Sequence, residues 1–144
     1  LDAIGTSDLS AIEQNREALK STVAEGLEKL QDVSAYEGDR SMIDATKALF
    51  KFYEKEAEEA QLAVDYNLKK ENFEKIKEAF DQIKEKNRTQ EDVDKYNNAI
   101  NELNSAVEAY NESNEANNKK RSDLVDDWNS TAEKFTNRHV PKGR

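Results

Sequence analysis

The sequence contains no cysteine, one proline, one histidine and four glycines in 144 residues. Without cysteine there can be no disulfide framework, thiolate metal site or thiol nucleophile. The lone histidine, His139, excludes a Ser-His-Asp triad built around any other position. It also excludes the paired Glu-x-x-His ligands of a ferritin-like di-iron bundle. Four scattered glycines cannot form a phosphate-cradling or dinucleotide-binding loop. Acidic runs such as Glu56-Ala57-Glu58-Glu59 lack the glycine and the alternation of a calcium loop. No cofactor, no metal and no enzymatic activity are therefore expected. No stretch approaches 18 uncharged apolar residues, so no transmembrane helix is expected either.

Glycine and proline are scarce enough to decide the fold class. Average usage would give about 10 and about 7 of them, and a β-sandwich or α/β domain of this size needs them for its turns. Between Asp39 and Val140 there is neither. The 31 acidic and 22 basic residues give a net charge of −9, which argues against nucleic acid or an anionic membrane surface as a partner.

Apolar spacing then predicts long helices. Leu9, Ile12, Arg16, Leu19, Val23, Gly26, Leu30 and Val33 alternate steps of three and four, the seam of packed helices. Thr6 or Ser7 would cap this helix, and Glu37-Gly38-Asp39 would end it near Ser34 and cap the next. A second helix carries Ile43, Leu49, Phe50, Tyr53 and Leu68, thinning to alanine within 54–63. Phe73, Ile76, Phe80 and Ile83 form a third run out of step with Leu49 and Tyr53. A phase slip within 66–72 of one long helix is expected, with a tight turn as the alternative. A break follows at Glu85–Arg88, and Thr89-Gln90-Glu91-Asp92 opens a new helix with acids in its first turn.

The last seam runs through Val93, Tyr96, Ile100, Leu103, Val107 and Tyr110. It continues through polar Asn114, Asn117 and Arg121 to Leu124, Trp128, Thr131, Phe135 and Arg138. Folding the chain at 36–38 and 88–89 sets Val93 and Ile100 against Ile83 and Ile76. It also sets Leu124, Trp128 and Phe135 near Tyr53, Leu49 and Met42. The polar stretches at Arg16, 54–59 and 114–121 then coincide in a polar layer. The prediction is an all-α fold: an elongated antiparallel helical bundle of three to four long helices, three wide near Trp128 and narrowing to a two-helix hairpin (73–107). A compact up-down four-helix bundle is the alternative. One domain spans 1–144, with 1–6 as a flexible leader and 135–144 as a C-terminal docking tail that includes His139. Trp128 is expected to be a core anchor.

Asparagine is the unusual feature. Asn97, Asn104, Asn111 and Asn118 recur at one heptad position, with Asn98, Asn101, Asn114 and Asn117 nearby. Asparagine is a mediocre helix former, so these residues are there for something other than helix propensity. They could form a hydrogen-bonding strip for a protein or glycan partner, or seam-flanking amides that fix register. Asn87-Arg88-Thr89, Asn111-Glu112-Ser113 and Asn129-Ser130-Thr131 match the glycosylation pattern, as chance allows in so Asn-rich a chain.

The C-terminal residues Trp128-Asn129, Lys134-Phe135 and Arg138-His139-Val140-Pro141-Lys142 resemble the ending of a family of small helical surface proteins of leptospires and Bacteroidetes. That resemblance, with the long-helix pattern from Ser7 to Pro141, implies an exported envelope or surface location. It also implies a lipid-bearing cysteine upstream of Leu1 as the sole membrane link, and no catalytic residues. A cytoplasmic coiled-coil adaptor, homodimeric through the hairpin end, is the alternative.

Overall fold

The structure is a computed structural model that describes residues 9–140; the expected leader, the Thr6 or Ser7 cap and the tail beyond Val140 lie outside the described residues. It is an all-α helical bundle. The helices are α1 (Leu9–Gln31), α2 (Ser41–Glu59), α3 (Gln61–Gln82) and α4 (Gln90–His139), with a 3₁₀ turn at Glu85–Asn87 between α3 and α4. Among the described residues no strand forms, and Tyr36 and Asp39 make one isolated bridge. None of these helices is long and apolar enough to cross a membrane. The described residues divide into two compact units, 9–13 with 59–114 and 14–58 with 115–140.

The first unit is a helical hairpin of α3 and the N-terminal half of α4, together with the first turn of α1, where Ile12 is buried. The pairing is antiparallel. Phe80 stacks on Tyr96 with ring centroids 4.8 Å apart, Lys69 bonds Glu102 at 2.8 Å and Tyr66 stacks on Tyr110 at 5.8 Å. The Ser113 hydroxyl donates to Glu59 at 2.8 Å. Close packing rests on small residues, since Ala63, Ala99 and Ala106 are buried while Ile100, Leu103 and Val107 are half-covered. An alanine ridge lets two helices approach, and the larger side chains close over its flanks. At the hairpin tip the Arg88 guanidinium lies 4.2 Å from the Phe80 ring centroid. Thr89 and Asp92 cap α4 reciprocally: the Thr89 amide donates to the Asp92 carboxylate at 2.8 Å, and the Asp92 amide donates to the Thr89 hydroxyl at 3.2 Å.

The second unit packs α1, α2 and the C-terminal half of α4 around Val23, Ile43, Phe52 and Ala57. The α2–α4 register is the expected one: the Trp128 indole donates to the Thr46 hydroxyl at 2.9 Å, and Thr46 in turn donates to the Met42 carbonyl at 2.7 Å. Residues 36–39 reverse the chain before α2. Glu37 (φ 50) and Gly38 (φ 82) both occupy the left-handed region, the pair of dihedrals that defines a type I′ turn, and the Asp39 amide donates to the Tyr36 carbonyl at 2.8 Å.

Four expectations are corrected. The slip falls at Ala60 rather than within 66–72. Ala60 keeps right-handed helical dihedrals (φ −57, ψ −18), and the Ala63 amide bonds its carbonyl at 3.1 Å, a one-turn tightening. Ala57, Ala60 and Ala63 are spaced by three, and each such step lags a 3.6-residue turn by about 60°, so the covered face rotates there. The alanine stretch is accordingly a site of tight packing, with Ala57 at 1% exposure. Helix α1 stops at Gln31 instead of Ser34 because the Asp32 amide takes a 3₁₀ bond to the Lys29 carbonyl, which leaves Val33 exposed. Leu68, counted as apolar seam, is also exposed, since Asn67 occupies the inward position beside it. Asn114 is exposed, and Ser113, seven residues beyond Ala106, takes its seam position.

Gly26 meets α2 in close approach. A Cβ built there would run into the Phe50 ring. Gly26→Ala should therefore destabilise by about 1 kcal/mol, because overpacking costs 1–3 kcal/mol and improved helix propensity returns about 1. In a Phe50→Leu background the same change should become neutral or stabilising, as read by urea denaturation of the four variants.

Candidate functional site

The asparagine positions separate into two kinds. In the first unit, Asn97, Asn104 and Asn111 are exposed. Each lies two residues before a seam residue of α4 (Ala99, Ala106 and Ser113), and two residues turn a helix by about 200°. The three amides therefore stand on the face turned away from α3. Seven-residue spacing drifts only about 20° per repeat, so they form one row with a rise of about 10 Å between members. Asn101 and Glu108, also exposed, lie between them. Asn118, in the second unit, is exposed and accepts a hydrogen bond from Arg121 at 2.8 Å.

Two other asparagines turn inward, one in each unit. Asn67 is buried and donates to the Ala63 carbonyl at 2.8 Å, and Asn117 is buried on α4. Sequence reasoning missed Asn67; its signal was the extrapolated seam of Phe73–Ile83, which passes beside it at Tyr66.

A second cluster closes the second unit where the 36–39 turn meets the last turn of α4. The two ring nitrogens of His139 face different carboxylates: Nε2 lies 2.9 Å from Asp39 Oδ2, and Nδ1 lies 3.2 Å from Glu37 Oε2. The ring packs perpendicular to Tyr36 (centroids 5.1 Å apart) and tilted against Phe135 (4.7 Å). Arg138 bonds Asp39 at 2.9 Å and the Ser41 hydroxyl at 3.3 Å, while the other Asp39 oxygen accepts the Ser41 amide at 2.9 Å and so caps α2. His139 was expected in a docking tail, and its side chain is only 12% exposed. A metal ligand set would converge on one point, whereas these carboxylates lie on opposite edges of the imidazole. Among the described residues no group of three or more acidic or histidine side chains could hold a metal ion.

The hydroxyl and amide of Ser41, then His139 and Arg138, hold the Asp39 carboxyl far below its ordinary value of 3.8. A depressed carboxyl contributes stability above its unfolded pKa and loses it as the pH falls through its folded one. Asp39→Asn should therefore lower the thermal midpoint relative to wild type at pH 7, and the gap should narrow steadily below about pH 4. A gap of constant size down to pH 2 would refute the ionic role.

The second unit also holds half-buried charged groups. Glu56 (14% exposed) and Arg121 (33%) form a two-pronged pair, with Arg121 Nε 3.4 Å from one carboxylate oxygen and the second nitrogen on the other. Arg16, in the same unit, is 19% exposed.

Compared with known proteins, the chain matches no family model, no curated protein and no solved structure.

Proposed function

We propose that this protein is a non-enzymatic recognition module of a bacterial cell envelope, and that the outward amide row of α4 binds a hydroxyl-rich glycan. The carrying observation is the placement of Asn97, Asn104 and Asn111 on the face opposite the α3 contact, where all three are exposed. Each primary amide offers two donors and an acceptor, which suits sugar hydroxyls. The face supplies no apolar anchor: between Asn97 and Asn111 its exposed members are asparagine, serine and glutamate. Protein interfaces draw their energy from buried aromatic and aliphatic anchors, so a glycan fits better than a protein partner or a second copy. The envelope location and an upstream lipid anchor rest on the likeness of residues 128–142 to helical surface proteins.

Co-sedimentation of the purified protein with isolated envelope polysaccharide tests the binding. Wild type should pellet with the polymer, and Asn97→Ala/Asn104→Ala/Asn111→Ala should stay in solution with an unchanged helical signal. Equal pelleting of the two proteins would reject the row as the site. Metabolic labelling of the full-length gene product with a fatty-acid analogue tests the anchor. Concentration-dependent dimerisation in sedimentation would favour the adaptor reading.

A further inference from the structure

We propose that His139 is a proton-sensitive pin that locks the 36–39 turn onto the end of α4, holding the turn while the imidazole carries two ring protons and releasing Glu37 when it carries one. A neutral imidazole has one N–H donor and one lone-pair acceptor, and only the imidazolium donates from both nitrogens. Here both nitrogens face carboxylate oxygens, at 2.9 Å (Asp39) and 3.2 Å (Glu37), and a carboxylate can only accept. One ring proton satisfies one carboxylate and sets a lone pair against the other.

The surroundings decide which contact yields. The charged groups around the ring among the described residues are Glu37 and Asp39 from the turn and Arg138 from α4 itself, with the rings of Tyr36 and Phe135 packed beside it. Asp39 is also held by Arg138 and by the Ser41 amide, so the remaining ring proton stays on Nε2, toward Asp39. Glu37 has no second cation among the described residues and its side chain is 69% exposed. Its contact is therefore the one lost.

Backbone conformation makes that loss count. Glu37 sits at φ 50, a region that favours Gly, Asn and Asp over a longer side chain. The imidazolium contact is what a glutamate supplies there that the better turn formers cannot. Once it is gone, a strained turn closed by the Asp39 amide on the Tyr36 carbonyl is left to open more often.

Amide exchange of the full-length chain, followed by NMR across the titration of the His139 ring, tests this. After correction for the intrinsic pH dependence of exchange, the opening equilibrium of the Asp39 amide should rise about two- to fivefold as the ring loses its proton, the scale of an exposed ion pair. In Glu37→Gln the ring should still titrate while the step disappears, and His139→Gln should show the open level at every pH. Asp39 protection that is flat through the ring titration, or a step of unchanged size in Glu37→Gln, would overturn the proposal. Glu37 is exposed, so its variant keeps the fold if His139→Gln does not.

Discussion

Replacing Trp128 with alanine should destabilise the protein by about 3 kcal/mol, the lower end of the cost of truncating a core aromatic, because the ring is half-buried. For a chain of this length that corresponds to roughly 6–12 °C in the thermal midpoint. Two contributions add: the ring area lost between α2 and α4, and the indole bond to Thr46. Trp128→Phe separates them, since it keeps most of the area and removes the donor; it should cost about 1 kcal/mol, the net value of one hydrogen bond. Asn104→Ala, on the same helix but facing outward, should be neutral or stabilising by a few tenths of a kcal/mol. Urea denaturation of the three variants gives the order, and a larger loss at Asn104 than at Trp128 would mean that the α4 seam has been misassigned.

That seam shows how far sequence alone reaches. The step of three and four along α4 fixes which residues meet α2 and α3, and the antiparallel register follows from two turn positions, 36–38 and 88–89. The observed Trp128–Thr46 and Phe80–Tyr96 contacts agree with that register. Periodicity misleads where packing depends on small residues. The alanines at 57, 60 and 63 look like a fading apolar face in sequence, yet they mark close packing and the change of phase, because an alanine contributes little area but permits close approach. It also misleads at polar positions. Asn114 satisfies the heptad and points outward, while Ser113 turns inward because its hydroxyl can reach Glu59.

The candidate sites differ in the same way. The outward row of Asn97, Asn104 and Asn111 is legible, since one heptad position repeats. The His139 cluster is not, because its members are contributed by residues about 100 positions apart. Their meeting follows from the register only once the turn at 36–39 is known to bring Glu37 and Asp39 back against the α4 terminus. The left-handed dihedrals at Glu37 are invisible in sequence, where Glu37-Gly38 reads as an ordinary helix stop.

Glu56→Ala should cost about 2 kcal/mol, and the cause would be the charge left behind rather than the bond removed. Glu56 is mostly buried and Arg121 two-thirds covered, so truncating the carboxylate strands a guanidinium inside the second unit. Stranding a fully buried partner costs 3–5 kcal/mol, and the partial exposure of Arg121 lowers that figure by solvent screening. The paired replacement Glu56→Leu/Arg121→Leu should lie within about 1 kcal/mol of wild type, since apolar groups of similar volume can replace a buried ion pair at little net cost. Exposed pairs set the contrast: Lys95–Glu91 and Lys77–Asp81 are i,i+4 pairs on helix surfaces, and Lys95→Ala should leave the urea midpoint nearly unchanged because solvent screens the pair. A double-mutant cycle over Glu56 and Arg121 reads the coupling directly. Single losses that simply add in the double variant would show that the two side chains act independently, and the polar layer expected from the sequence would then have no energetic basis in this pair. Strong coupling with a near-native double variant would instead mean that the pair selects one register of α2 against α4 while adding little to stability, since a shift of either helix would strand both charges.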